Sequence, residues 1–334
     1  MTRSAAHTTR LVQFLQLLPA VFFAIIVVAF TVLSNRFFSL QNFTNILRQA
    51  THLGVMAVGM SFVLLVAGVD LSVGATMYVA AVLLGLYFTA LPPWLCLLIA
   101  IAIGLVFGAI NAFFVVKLRV APFIVTLATL YVGRGVGLYL SDTKMVPASP
   151  TVLEFARGSL LGVPSPIFIA AASVAVGLVL LRLTPFGRYV YAIGGDREGA
   201  RKAGINVERV TFAVYSLCGA FAGLGGFISV SQVAAASSTF GERMEFLVIA
   251  AAVLGGTSLF GGHGGLLGPV FGAILIQTVQ NGLVMIDADP YIYPLITATI
   301  IFVAVLIDSL RARAIARLER RLIRVEERGS VAST

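Results

Sequence analysis

The run WLCLLIAIAIGLVFGAINAFFVV, Trp94–Val116, carries no charged side chain and is closed by Lys117 and Arg119. A bilayer hydrocarbon core about 30 Å thick is spanned by about 20 apolar residues of helix, so this stretch is long enough to cross a membrane. The same reading extends outward along the chain. It gives further spans at about Leu15–Ser34, Leu53–Ala67 (short and interrupted), Ser72–Ala90, Ala121–Leu140 and Ile167–Leu183. It continues with Val210–Gln232, Phe246–Phe260, Leu266–Ile286 and Ile292–Ile307. The predicted fold class is all-α, a polytopic membrane protein with about ten transmembrane helices, some of them discontinuous.

Composition agrees. Of 334 residues, 59% are hydrophobic and 11% charged, against roughly 25% charged in an ordinary soluble domain. Mean hydropathy is +1.01. These values exclude a disordered chain, a disulfide-stapled secreted module and a typical soluble enzyme. Cys96 and Cys218 lie inside apolar runs and read as small core hydrophobes rather than a disulfide or metal framework. The net charge of +9 does not point to nucleic acid, because the positive residues gather between apolar segments and at the ends.

With the N-terminus placed in the cytoplasm, seventeen Lys and Arg fall in inside segments and five in outside segments. That bias predicts an even number of spans with both termini inside the cell membrane. The expected organisation is a cytoplasmic N-terminus (1–14), one transmembrane domain (15–308) containing a cytoplasmic segment at 184–209, and a basic cytoplasmic tail (309–334). The first apolar run is too long for a signal-peptide core and lacks a small-x-small cleavage site, so it reads as an anchor. Arg311 to Arg328 alternates basic and apolar residues at helical spacing, which suits an interfacial helix on an anionic leaflet.

Three places break the apolar pattern. In Gly68-Val-Asp-Leu-Ser-Val-Gly74 an aspartate that faced lipid would be costly. One reading is a discontinuous element beside a cavity; the other is a surface turn with Ser72 as N-cap of the next helix. In the segment from Phe186 to Asn206, Gly194-Gly195-Asp196 reads as turn and N-cap, Arg197 to Ala203 as a short helix and Gly204 as its C-cap. That is a docking element or an ordinary positive inside loop. From Leu254 to Gly265, followed by Gly268, Pro269 and Gly272, the glycines suit close helix approach. A phosphate cradle fails there, because no lysine follows Lys202. His7, His52 and His263 show no paired ligand spacing, and no nucleophile–base set is visible.

Taken in order, these motifs resemble the permease subunits of ribose-type bacterial ABC importers for sugars. The likeness rests on Gly59-Met-Ser-Phe62, Gly68 to Gly74, Ala121-Pro-Phe-Ile-Val-Thr-Leu127 with Arg134-Gly135, Phe186-Gly-Arg188, Tyr191-Ala-Ile-Gly-Gly195 and Gly204-Ile-Asn206. It continues with Glu245, Ile249 to Gly256, Thr257-Ser-Leu259, Gly261-Gly262 and Asn281-Gly-Leu283. It runs from about residue 45 to 308. The resemblance implies a permease that is not itself an enzyme, paired with a second permease copy or a related one in a dimer. It implies an ABC ATPase subunit, which carries ATP and Mg, and a periplasmic or extracellular sugar-binding protein. No cofactor is expected on this chain, and the location implied is the bacterial inner membrane.

Residues 198 to 204, Glu-Gly-Ala-Arg-Lys-Ala-Gly, resemble the E-A-A-x-x-x-G coupling signature of importer permeases, with Gly199 in place of alanine. The likeness implies ATPase coupling by Gly187, Arg188, Gly194, Gly195, Asp196, Arg197, Glu198, Ala200 and Gly204. Candidates for the sugar path are the polar groups within spans: Asp70, Ser72, Asn111, Thr126, Arg134, Glu245, Gln277 and Asn281. A salt bridge or snorkelling also accounts for Arg134, and a helix-dipole contact for Glu245. The competing functions are an ion-coupled secondary transporter, an ABC permease for branched-chain amino acids or nucleosides, and a membrane enzyme or scaffold.

Overall fold

A computed structural model describes residues 21–160, 162–299, 301–303 and 305–306. The start of the first apolar run, the expected N-terminal segment 1–14 and the basic tail 309–334 lie outside them. The helices are α1 (Val21–Leu33), α2 (Leu40–Leu65), α3 (Val73–Tyr87), α4 (Pro93–Val116), α5 (Pro122–Ser141), α6 (Pro150–Arg157) and α7 (Ser165–Leu178). α8 (Pro185–Gly195), α9 (Arg197–Lys202), α10 (Val207–Val233), α11 (Met244–Leu254) and α12 (Leu267–Met285) follow. A 3-10 turn at Pro290–Ile292 leads into helical residues 293–299. Among the described residues, strand is confined to two-residue bridges, β1 (Val146–Pro147) with β4 (Ala235–Ala236) and β2 (Ser159–Leu160) with β3 (Val163–Pro164). The protein is an all-α polytopic membrane protein: among the described residues five helices are long and apolar enough to cross a bilayer, and four more are shorter apolar helices.

Local chemistry sets the helix ends. Proline stands at the start of α4, α5, α6 and α8, where the missing N–H costs nothing. Asn206 Oδ1 caps α10 by accepting the Arg209 N–H at 2.9 Å. At the far end of α10, Ala234 turns left-handed at φ 69°.

Several ends differ from the sequence reading. The short second span is the C-terminal part of a 26-residue helix that begins at Leu40. Gln41, Asn42, Thr44, Asn45, Arg48 and Gln49 dilute its first turns, so a hydrophobicity reading misses them while the backbone stays helical. The sixth span is helical to Leu178 and finishes as a π-turn, Val179–Leu183. The eighth stops at Leu254, where Gly255 and Gly256 take over. α8 runs through Gly194 and Gly195, so those two residues close a helix rather than form a turn.

The chain forms two compact units. In the larger, Leu40–Gln277, α10 is the central helix: 78% of its most apolar window is buried, against 22% for α5. α4 lies directly on α10 through small residues. A Cβ at Gly104 would collide with the Gly219 carbonyl, one at Gly219 with the Gly104 carbonyl, and one at Gly223 with the Ala100 carbonyl. Lipid tails are as apolar as leucine, so such backbone-to-backbone van der Waals contact, rather than hydrophobic transfer, holds membrane helices together. Trp94, Phe113, Phe114, Tyr131 and Tyr139 project outward from α4 and α5, as lipid-facing side chains do. In the smaller unit, residues 1–39 with 278–334, Gly282 lies against the Phe30 ring, which meets Phe37 at 5.5 Å between centroids.

Candidate functional site

The centre of the larger unit is a break between two helices. α2 stops at Leu65, and Ala67 takes a left-handed φ of 59°. Residues 68–70 are irregular, and α3 begins at Val73. Asp70 in this break is fully buried. Its Oδ1 accepts the Ser72 N–H at 2.9 Å and the Ser72 O–H at 2.6 Å. Asn111 Nδ2 on α4 donates to Ser72 Oγ at 2.8 Å and lies 3.3 and 3.5 Å from the two carboxylate oxygens. Tyr215 on α10 donates its O–H to the Val69 carbonyl at 3.4 Å. The Cys218 thiol faces the same carboxylate.

Four of the sequence candidates, Asp70, Ser72, Asn111 and Thr126, are all buried. Thr126 Oγ1 bonds the Pro122 carbonyl of its own helix at 2.9 Å and reaches Val69 O at 3.5 Å. One expectation is corrected: Ser72 occupies the N-cap position of α3 without making a side-chain cap. Its hydroxyl is turned to Asp70 instead, and the aspartate closes the turn that leads into α3. Asn111 lies five residues before the end of α4 and Tyr215 eight residues after the start of α10. At about 1.5 Å per residue the break is roughly 8–12 Å inside the helix ends. It is therefore an irregular backbone segment satisfied by protein, the condition under which such backbone is tolerated at membrane depth.

Among the described residues Arg134, Glu245 and Gln277 share no hydrogen bond with this cluster, although a Cβ at Gly74, in the first turn of α3, would stand 2.7 Å from Glu245 Oε2. Arg134 Nη1 donates to the Phe240 carbonyl at 2.7 Å, and its guanidinium stacks over the Tyr78 ring at 5.3 Å. Glu245 opens α11, is buried, and with Glu242 supplies the nearby negative charge. Gln277 Nε2 donates to Gln49 Oε1 at 2.8 Å. Asn281 is buried, and its Oδ1 has no partner among the described residues.

The expected docking segment forms α8 and α9. Asp196 Oδ1 accepts the N–H groups of Glu198 and Gly199, each at 3.0 Å, and so caps α9. Ala200 is buried beneath the helix, while Arg197, Glu198, Arg201 and Lys202 are exposed. Gly204 follows at φ +84° and ends it. Gly187 is buried, where a Cβ would collide with the Leu181 carbonyl; Arg188 is exposed, and a Cβ at Gly195 would meet nothing within 4 Å. Beside α9 a cleft of about 870 Å³ is lined by Arg119 and Ala121 from the loop before α5, Pro122 at its start, Arg197 and Arg201 on α9 and Glu208 on α10. Lys117 pairs with Glu208 at 3.0 Å across its edge.

The glycine-rich loop after α11 works by close approach. A Cβ at Gly255 would collide with Gly268, and one at Gly272 with the Ala251 carbonyl. Gly262 N–H donates to Leu65 O at 3.0 Å, and Tyr191 O–H donates to Gly264 O at 2.8 Å. Burial pushes the Tyr191 phenol above its ordinary pKa, with Arg182 opposing the shift. Among the described residues no group of His, Cys, Asp and Glu could hold a metal ion.

Sequence reasoning missed Tyr215 and Cys218, which sit at i and i+3 on α10 inside an apolar run. It also missed Leu65 and the Lys117–Glu208 pair. A hydroxyl one turn from a cysteine on a helix otherwise rich in glycine was the only signal for the first two.

Comparison with known proteins completes the site's context. A family described as the permease component of branched-chain amino acid transport systems matches residues 42–307. The chain is 37% identical over 294 residues to the ribose import permease RbsC of Escherichia coli (strain K12), covering 85% of this chain and 91% of that one. It is 38% identical over 288 residues to the ribose import permease of Bacillus subtilis (strain 168), covering 85% and 89%. It is 33% identical over 326 residues to the fructose import permease FrcC of Rhizobium meliloti, covering 91% and 90%. With a broken-helix centre inside an apolar bundle and a match over most of its length, the chain belongs to this family of transport-system permease components.

Proposed function

We propose that this permease imports a monosaccharide of the ribose and fructose class, or a related polyol. It is moved by a separate ABC ATPase that grips α8 and α9. An external binding protein delivers the sugar to the opposite face, and the permease works as a dimer with a second copy or a related chain. The α8–α9 face is cytoplasmic, as are both termini. ATP and Mg belong to the ATPase, so this chain binds no cofactor. Coupling rests on Gly187, Arg188, Gly194 to Glu198, Ala200 and Gly204; the path candidates are the eight polar groups named above. The single-domain organisation and its cytoplasmic tail belong to the same proposal.

One observation carries the docking role: α9 is a two-sided helix with Asp196 fixing its start and Gly204 its end, held down by Ala200 while Arg197, Glu198, Arg201 and Lys202 point away. An inside loop that needed only positive charge would need no such geometry. The names of the relatives support the sugar class. An ion-coupled transporter also uses broken helices, but α9 would then have nothing to hold.

The test is deletion of Asp196 to Lys202. The expected result is a permease that still reaches the membrane at wild-type level but no longer co-purifies with the ATPase. Alone in liposomes the intact permease accumulates no D-ribose, D-xylose, D-fructose or D-allose; accumulation without nucleotide would end the proposal.

A further inference from the structure

The end of α2 is held from outside its own helix. The last carbonyls of a helix lack intrahelical donors. Here the Leu65 carbonyl receives the Gly262 N–H at 3.0 Å from the loop after α11. Gly194, in the last turn of α8, lies on that same carbonyl: a Cβ there would collide with Leu65 O and approach Gly262 N to 2.5 Å. A Cβ at Gly261 would stand 2.9 Å from Gly194 O and 3.1 Å from Ala67 N. A Cβ at Gly262, where φ is +71°, would stand 3.1 Å from Gly195 N. Tyr191, one turn earlier on α8, ties the loop again through Gly264 O. Three backbones therefore meet at one point with no side chain between them. Two residues beyond it Ala67 turns left-handed, and five residues beyond it lies Asp70.

We infer that this Gly194–Leu65–Gly262 junction is the mechanical link that carries movement of the docking helices into the Asp70 break. The inference rests on the docking role proposed for α8 and α9. Backbone meeting backbone cannot be absorbed by a rotamer change, so a displacement of α8 must shift either the Leu65 carbonyl or the Gly262 loop. Close packing transmits such a shift between discrete arrangements rather than damping it. The Leu65 carbonyl is the element that would move: freed from Gly262, it loses its only donor among the described residues, and the turn bonds behind it, Ala67 N–H to Leu64 O at 2.8 Å and Gly68 N–H to Val63 O at 2.9 Å, lose their anchor. Gly194, Gly262 and Tyr191 are positioning residues. They act on the path through Leu65 and Asp70 without touching solute.

Two glycines of this region give the test. Gly194→Ala inserts a methyl group into the junction; Gly265→Ala, in the loop after α11, whose Cβ meets nothing within 4 Å, inserts one into open space. In the permease alone, in nanodiscs, hydrogen–deuterium exchange at the amides of residues 66–70 is expected to rise at least tenfold in Gly194→Ala and to stay within twofold of wild type in Gly265→Ala. In the transporter assembled with its ATPase and binding protein, the probes are D-ribose, D-xylose, D-fructose and D-allose. The sugar carried per ATP hydrolysed is expected to fall at least tenfold in Gly194→Ala, with the ATPase still co-purifying, and to hold in Gly265→Ala. Equal exchange in the two variants overturns the junction. Faster exchange with an unchanged sugar-to-ATP ratio also overturns it, leaving only a structural contact. Failure of the wild-type complex to bind the ATPase or to carry any of the four sugars counts against the functional reading instead, and the exchange arm still decides the junction.

Discussion

Ser72 gives both of its hydrogens to one oxygen of Asp70, the N–H at 2.9 Å and the O–H at 2.6 Å. The carboxylate thereby closes a two-residue turn just before α3, while Asn111 Nδ2 lies 3.3 and 3.5 Å from its two oxygens and the Cys218 thiol faces it from α10. A group this deeply buried, with no cation within ion-pair distance among the described residues, must be held by dipoles.

Asp70→Asn keeps an acceptor for both Ser72 hydrogens and nearly the same volume. Folded yield is expected within about twofold of wild type. Uptake is expected to fall at least tenfold, because the new amide sets an N–H₂ against that of Asn111. Asp70→Ala, which strands Ser72 and Asn111, is expected to lose yield as well, since each stranded buried group costs about 1–3 kcal/mol. Detergent gel filtration and uptake measured on the same preparations separate the cases; equal losses of yield and uptake in Asp70→Asn would show the carboxylate to be purely structural.

Asn111 is coupled to Asp70 across 41 residues of sequence. A double-mutant cycle with Asp70→Asn and Asn111→Ala should give a coupling of about 0.5–3 kcal/mol, the range for residues sharing one network. Thermal melts of the four proteins measure it. Additive losses would mean that the contact contributes nothing.

Much of this fold was legible because lipid imposes a length rule on apolar runs, and α4, α5 and α10 stand close to where that rule put them. The start of α2 was not legible. Its polar first turns carry Arg48 and Gln49, and Gln49 and the Arg48 carbonyl are used by Gln277 and Gln232. Hydropathy registers those side chains as loop when they are interior contacts. Likewise Asp70, Ser72, Asn111 and Thr126 could each be singled out as polar groups among apolar ones. That the first three share one network could not be read, because it depends on how α4 packs against α3 and, through its glycines, against α10. Gly194 was legible as part of a motif, but its contact with the Leu65 carbonyl depends on a loop nearly 70 residues further on.

Gly199 shows how a departure from a motif can be compensated locally. Alanine there would favour the helix by about 1 kcal/mol. Its Cβ, however, would stand 2.5 Å from Asp196 Oδ2, and displacing that cap costs about as much. Gly199→Ala is therefore expected to be close to neutral in thermal stability and in protection of the 196–204 amides. In an Asp196→Ala background, where no carboxylate is left to displace, the same change is expected to stabilise α9. A destabilising effect in both backgrounds would contradict this account.

The α4–α10 contact makes a sharper distinction between glycines. Gly108→Ala drives a methyl group into the Tyr215 carbonyl, and neither backbone can yield separately. Overpacking of this kind costs about 1–3 kcal/mol, and Tyr215 also holds the break at Val69. Gly135→Ala on α5 meets nothing within 4 Å and should gain helix propensity. The expected order of melting temperature is Gly135→Ala at or above wild type and Gly108→Ala clearly below; the reverse order would refute the contact.

Arg134 decides between two accounts of Glu245. If Glu245 serves only the positive end of α11, Glu245→Gln lowers stability by a few tenths of a kcal/mol whatever residue stands at 134. The geometry favours the other account. Arg134 is anchored to the Phe240 carbonyl and the Tyr78 face with its charge set among Glu242 and Glu245, and Glu245 is buried. Arg134→Leu then strands a carbonyl and leaves a buried carboxylate without compensating charge, a loss of several kcal/mol for a truly buried pair and less at this partly exposed arginine. Arg134→Lys keeps the charge but not the planar stack, and should fall between. Adding Glu245→Gln to Arg134→Leu removes the uncompensated charge, so the double variant should melt higher than Arg134→Leu alone. If the added change lowers the melting temperature further, the carboxylate serves the helix end and not the arginine.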